Sequence, residues 1–301
     1  MTTAAPQEGL KTRPRYELVM RVVHPLSAVL VRRLAMTRVE PWQVVVTHSV
    51  IGAAAALLLA GDSRWGLVGA ALSLQVKTVL DNVDGGLARA TGRVTELGRY
   101  LDTGLDLIVN VLLFVALARH GPWPLAALAL VVLTVVLSYD FNAEALYREA
   151  RAGEPPAGDA LAATAAAGGA RLGGLTPVAD PTTPQPARGT LALRSFRGLY
   201  RLVLAPQDRL IRTLDSALFR HATGLEYAAA PRDRRQAWSN VSSTGALVNL
   251  GLSTQYLVLG LCAALGAPFL YVVIVLAQGI YLIVFQASRV ASARRSSQAA
   301  A

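Results

Sequence analysis

Four aspartates, Asp81, Asp84, Asp102 and Asp106, fall at the edges of two apolar runs, where charged side chains are rare. An ionised carboxylate beside hydrocarbon is expensive unless it is paired or bound to a cation. At about 100° per residue, Asp81 and Asp84 sit about 60° apart on one helix face. Asp102 and Asp106, one turn apart, share a face of the next helix. If the two helices are antiparallel neighbours, all four carboxylates converge on one small volume. They then either take up protons or are neutralised by divalent cations. Oxygen-only donors point to Mg²⁺ or Mn²⁺ rather than zinc. Mg²⁺ keeps free positions for substrate phosphates, which makes a diphosphate the natural guest.

The residues between the aspartates fit that chemistry. Gly85, Gly86, Ala88 and Gly98 are small enough for a nucleotide or a neighbouring backbone to approach closely, although Gly86 reads as a helix-packing residue. Arg89 is open between a phosphate contact and a loop cation, and Arg93, Glu96 and Arg99 belong to the loop. Capping accounts for a single aspartate at a helix end, not for four at this spacing. Lys77, one turn before Asp81, is placed to neutralise part of the cluster.

The elements that position these residues are apolar helices. Hydrophobic residues make up 53% of the 301 and charged residues 16%, against about 25% charged in soluble domains. Mean hydropathy is +0.41, so this is a membrane protein. Six segments approach the roughly 20 residues needed to cross a bilayer. They run from Trp42 to Ala60, Trp65 to Leu80, Leu101 to Ala118, Trp123 to Tyr139, Gly245 to Leu265 and Pro268 to Phe285. The connections after the first, third and fifth hold few basic residues, and nearly all other arginines fall on the opposite side. Both termini and the aspartate cluster are therefore expected at the cytoplasmic face of the cell membrane. A net charge of +10 with this placement points to anionic lipid rather than nucleic acid. Cys262 reads as a packing residue, and the polar, Pro-containing first 20 residues show no secretory signal pattern.

The chain divides into a cytoplasmic segment over 1–40, four spans with the aspartates over 41–147, a cytoplasmic insertion over 148–240, and two spans with a basic tail over 241–301. From Tyr16 to Arg33 apolar and basic positions mix, as in a helix lying on the inner leaflet, with a packed cytosolic helix as the alternative. Residues 152–189, rich in Ala, Gly, Pro and Thr, read as a flexible linker. Residues 190–222 read as amphipathic basic helices broken near Ala205-Pro206, on the headgroups or docked to a cytosolic partner.

Read in full, Asp81-x2-Asp84-Gly85-x2-Ala88-Arg89-x8-Gly98-x3-Asp102-x3-Asp106 resembles the signature of the CDP-alcohol phosphotransferase (CDP-alcohol phosphatidyltransferase) family at every fixed position and gap. The resemblance implies a six-helix membrane fold, usually a homodimer, that transfers a phosphatidyl group from a CDP-linked lipid such as CDP-diacylglycerol to an alcohol, releasing CMP. It implies two divalent ions: Asp81, Asp84 and Asp102 hold one, and Asp81, Asp102 and Asp106 hold the second. Asp106 is also the implied general base, and Gly85, Ala88, Arg89 and Gly98, with Asp81, Asp84 and Asp102, line the CDP pocket.

There are two departures. Many members enter the first span with Pro-Asn-x-Val-Thr, whereas this chain reads Pro41-Trp42-Gln43-Val44-Val45, with Thr47 beyond. The insertion before the fifth span also exceeds that of compact bacterial members. A phosphorylated acceptor such as glycerol phosphate or inositol phosphate needs a basic pocket, for which Arg148, Arg194 and Arg197 are candidates, though all three also suit a membrane-anchoring role. Ser138, Tyr139, Asp140 and Asn142 form a polar set in the fourth span. A divalent-cation transporter and a catalytically silent lipid-binding homologue are the competing readings. The clustering of carboxylates at one surface weighs against the first, and the intact signature against the second.

Overall fold

The protein is described here by a computed structural model covering residues 19–152 and 191–298. Every regular element among the described residues is a helix. In chain order these are α1 (Met20–Leu34), α2 (Pro41–Leu59), α3 (Arg64–Ala90), α4 (Glu96–Leu117), α5 (Trp123–Ala152) and α6 (Leu191–Leu199). A π-helical turn, Tyr200–Leu204, leads into α7 (Ala205–Thr223), followed by α8 (Arg232–Trp238), α9 (Val241–Val248), α10 (Leu252–Ala264) and α11 (Leu270–Gln298). Instead of the break expected near Ala205-Pro206, the helix continues there through a π-helical turn. Beyond Ala152, the linker expected over 152–189 lies outside the described residues, as do residues 16–18 of the expected N-terminal helix.

Local chemistry sets the ends of the helices that carry the aspartates. α2 begins at a capping box in which Glu40 and Gln43 satisfy each other's backbone, with Pro41 in the first turn. α3 closes with Gly92 in the left-handed region (φ 67°). The Arg93 N–H there donates to the Ala88 carbonyl at 2.9 Å and the Gly92 N–H to the Arg89 carbonyl at 3.3 Å. Three residues later Thr95 caps α4, its hydroxyl accepting the Gly98 N–H at 3.1 Å. A short turn thus follows Arg89 and sends α4 back, bringing both aspartate pairs to one end of the helix pair.

Among the described residues, five stretches are long and apolar enough to cross a membrane: Pro41–Leu59, Glu96–Leu117, Trp123–Arg151, Arg232–Ala264 and Leu270–Ser296. α3 is not among them, although a span was expected over its first half. It runs on to Ala90 and carries Lys77, Asp81, Asp84 and Arg89, which dilute its apolar character. The span expected from Gly245 to Leu265 is two helices, interrupted at Asn249 to Gly251. Asn249 turns its side-chain amide back onto the Gly245 carbonyl at 2.7 Å, ending α9.

The helices form two compact units. The first holds residues up to Val131 and Leu252–Leu276. In it Ala55 and Leu59 of α2 and Ala70, Leu74, Val83 and Leu87 of α3 are wholly buried, while Leu57 and Val115 are 79% and 63% exposed, as lipid-facing side chains would be. Val31, Val44, Val83 and Leu87 form a core joining α1, α2 and α3, and the Ser27 hydroxyl donates to the Val79 carbonyl. A Cβ on Gly260 would lie 2.8 Å from Gln75 Nε2, so the bare backbone lets α10 approach α3 closely.

The second unit holds Val132–Gly251 and the chain from Ala277 on. One of its cores gathers Leu146, Phe219, Ala222, Tyr227, Ala230 and Trp238, with the Phe219 ring edge-on to Tyr227 and Trp238. Beside it Arg289 and Asp215 form a buried ion pair at 2.7 Å. The Trp238 indole N–H donates to Asp215 at 2.9 Å, and the Arg289 guanidinium lies 4.0 Å from the Trp238 ring.

Candidate active site

The four signature aspartates converge in the first unit, and two side chains from the surrounding helices stand among them. His48, fully buried on α2, points Nε2 at three carboxylates: 2.9 Å from Asp84 Oδ2, 3.5 Å from Asp102 Oδ1 and 3.9 Å from Asp81 Oδ1. Lys77, fully buried on α3, places Nζ 2.7 Å from Asp106 Oδ1 and 3.3 Å from Asp81 Oδ1. The pairing of Lys77 with Asp81 was expected one turn along α3; the shorter contact, to Asp106 across the helix pair, was not.

The supports of Lys77 come from three helices. Its stem passes Gly52 of α2, where a Cβ would lie 3.1 Å from Lys77 Cδ and 2.7 Å from Val109 Cγ1. Its ammonium lies 4.8 Å from the centre of the Tyr256 ring of α10. The Tyr256 hydroxyl in turn donates to Asn110 Oδ1 of α4 at 3.1 Å, and its carbonyl accepts from Gln75. A lysine in so apolar a helix core persists because two carboxylates and an aromatic face receive its charge.

Asp84 Oδ1 accepts the Gly85 backbone N–H. The Arg89 guanidinium folds against Gly85, where a Cβ would lie 3.2 Å from Nη1. A side chain at 85 would press on the end of that arginine. Ala88 is half-buried on the last turns of α3. Gly98 sits in the first turn of α4 beneath the capping hydroxyl, 3.0 Å from where its Cβ would be. Among the candidates for an acceptor phosphate, Arg148 pairs with Glu144, and Arg194 (exposed) and Arg197 (half-buried) lie on α6. All three belong to the second unit, with Ser138, Tyr139, Asp140 and Asn142.

The cluster fits a divalent cation. One donor atom each from His48, Asp81 and Asp102 lies within 4.8 Å of the others. Asp102 Oδ1 is a buried acceptor that makes no hydrogen bond among the described residues. Beside the carboxylates expected as donors stands an imidazole nitrogen, and such a mixed set would suit Mn²⁺ as well as Mg²⁺. His48 was missed because it lies 36 residues before Asp84 in an otherwise apolar run. The signal was present, since a histidine is costly inside a membrane helix, and it sits where the entry to α2 departs from the usual pattern.

Among the described residues, apolar helices long enough to cross a membrane and an acidic cluster at one end of a helix pair frame a group that could hold a metal ion. Residues 26–169 match the family model for CDP-alcohol phosphatidyltransferase. Among curated proteins the chain is similar to archaetidylinositol phosphate synthase of Aeropyrum pernix, 38% identical over 72 residues, which are 24% of this chain and 37% of the relative. It is also similar to the bifunctional IPC transferase and DIPP synthase of Thermococcus kodakarensis, 33% identical over 113 residues (36% of this chain, 25% of the relative). The protein of the same name from Aquifex aeolicus is 32% identical over 111 residues (32% of this chain, 25% of the relative). The matches thus span between a quarter and about two-fifths of these relatives' own lengths.

Proposed function

We propose that this chain is a membrane phospholipid-synthesis enzyme that transfers a phosphatidyl group from CDP-diacylglycerol or a similar CDP-lipid to an alcohol, releasing CMP. The observation that carries the reading is the convergence of Asp81, Asp84, Asp102 and Asp106, at the family's spacing, around two buried nitrogen side chains. In this reading six helices span the cell membrane, α3 among them because its neighbours cover its polar residues, and the cluster opens to the cytoplasm. Asp81, Asp84, Asp102 and Asp106 would hold divalent metal, Mg²⁺ or Mn²⁺ with two ions in the family pattern, which would supply positive charge to the diphosphate.

The chain's own residues do the rest. Arg89, folded on Gly85, supplies a guanidinium to the diphosphate at the mouth of the cluster. Asp106 takes the proton from the acceptor hydroxyl, and Lys77 fixes the orientation of its carboxylate by holding Oδ1. Direct attack of that hydroxyl on the phosphorus needs no covalent enzyme intermediate. One relative is named archaetidylinositol phosphate synthase, and we assign this chain a phosphorylated polyol, inositol phosphate or glycerol phosphate, as acceptor. The protein acts as a homodimer in this reading.

The test is Asp106→Asn in purified protein. Cytidine diphosphate binding should persist while CMP release from CDP-diacylglycerol in the presence of acceptor falls by 100-fold or more, as expected for the loss of a general base, worth about 10² to 10⁴. Unchanged turnover in the variant overturns the assignment of the base.

A further inference from the structure

His48 and Lys77 divide the four carboxylates between them. Lys77 binds the Asp81 and Asp106 edge, and His48 faces Asp84, Asp102 and the same oxygen of Asp81. We propose that Lys77 permanently fills the place the family pattern gives to a second ion, so that the centre takes a single divalent ion, seated between His48, Asp81 and Asp102. This rests on the metal-dependent reading above and revises its ion count.

The Lys77 edge is already occupied in a way that resists exchange. An ion ligated by Asp81 and Asp106 would sit about 2.0–2.1 Å from carboxylate oxygens if it were Mg²⁺, among the oxygens the ammonium already contacts at 2.7 and 3.3 Å. Two like charges so close, one of them on a side chain with no exposure, repel strongly. The ammonium has no nearby retreat: its side chain has no exposure, its stem is hemmed in beside Gly52, and the Tyr256 ring lies beneath it. Withdrawing it from both carboxylates would leave a buried, unpaired ammonium.

The His48 edge is the opposite case. His48 Nδ1 makes no hydrogen bond among the described residues, and neither does the buried Asp102 Oδ1. With its proton on Nδ1, the imidazole turns the Nε2 lone pair toward Asp81 and Asp102, whose oxygens lie close enough to share an ion with it. The centre then presents a diphosphate with one exchangeable dication beside one fixed ammonium. The fixed charge on Asp106 also holds the base in place whether or not metal is bound.

The experiment counts Mn²⁺ on the purified full chain in detergent by electron paramagnetic resonance. The wild type should bind one Mn²⁺ per chain, without coupling to a second Mn²⁺, and with nitrogen hyperfine coupling that His48→Gln removes. Lys77→Met should bind two Mn²⁺ with spin–spin coupling between them. Two ions on the wild type, or a single ion on a folded Lys77→Met protein, overturn the proposal. A single ion without nitrogen coupling overturns the seat at His48. Should Lys77→Met fail to fold, the wild-type count decides alone. Failure of the wild type to bind any Mn²⁺ overturns the metal-dependent reading itself, an outcome distinct from all the others.

Discussion

Gly52 sits where α2 passes Lys77 and α4, and adding one methyl there perturbs the centre without touching a charged group. An alanine Cβ would lie 2.7 Å from Val109 Cγ1 and 3.1 Å from both Val109 Cγ2 and Lys77 Cδ. Carbon contacts are comfortable at about 3.5–4.0 Å, so α4 or the lysine stem must yield by about 0.8 Å. Val109 is stiff at χ1 and lies one turn beyond Asp106, so part of that shift passes to the base and its ammonium partner. Overpacking of this kind costs about 1–3 kcal/mol, or a melting point lower by about 2–12 °C at about 2–4 °C per kcal/mol. Displacement approaching 1 Å at the reacting groups is worth up to about 100-fold in turnover. Gly61→Ala is the control, because its Cβ meets only the Leu58 carbonyl at 3.6 Å. The assay is thermal unfolding in detergent together with CMP release. If Gly52→Ala matches Gly61→Ala in both, the close packing of α2 against Lys77 and α4 is not what positions Asp106.

Gly92→Ala should lower stability by about 1–2 kcal/mol in the same unfolding assay. Its φ of 67° is left-handed, and nothing lies within 4 Å to add a clash, so the cost is backbone strain alone. Arg289→Met should cost about 3–5 kcal/mol by leaving Asp215 buried and unpaired. Arg93→Ala, which removes an exposed pair with Glu40, should cost less than about 1 kcal/mol; similar losses for these two would contradict the burial argument.

What could be read directly from the sequence were features carried by short spacings. The aspartates needed only helix periodicity and one antiparallel turn, and Thr91-Gly92-Arg93 with Thr95 supplies that turn through a left-handed glycine and a hydroxyl cap. The Lys77 contact to Asp81 followed from one helical turn. Its stronger contact to Asp106 spans 29 residues and depends on how closely α3 and α4 pack, which no periodicity encodes. His48 was hidden for the same reason, and Tyr256 lies farther still, 146 residues from the Asn110 it bonds. Hydropathy alone left two elements incompletely described: α3 runs on past its apolar half to Ala90, and the Gly245 to Leu265 run is interrupted at Asn249, whose side-chain amide bonds backward.

Incubating the purified chain with labelled CDP-diacylglycerol, Mn²⁺ and inositol phosphate or glycerol phosphate tests the central claim most directly. CMP should appear together with a new phospholipid containing the acceptor, and chelating the metal or omitting the acceptor should abolish both. CDP-diacylglycerol left intact with every alcohol in a broad acceptor panel, by folded protein that binds Mn²⁺, would contradict it.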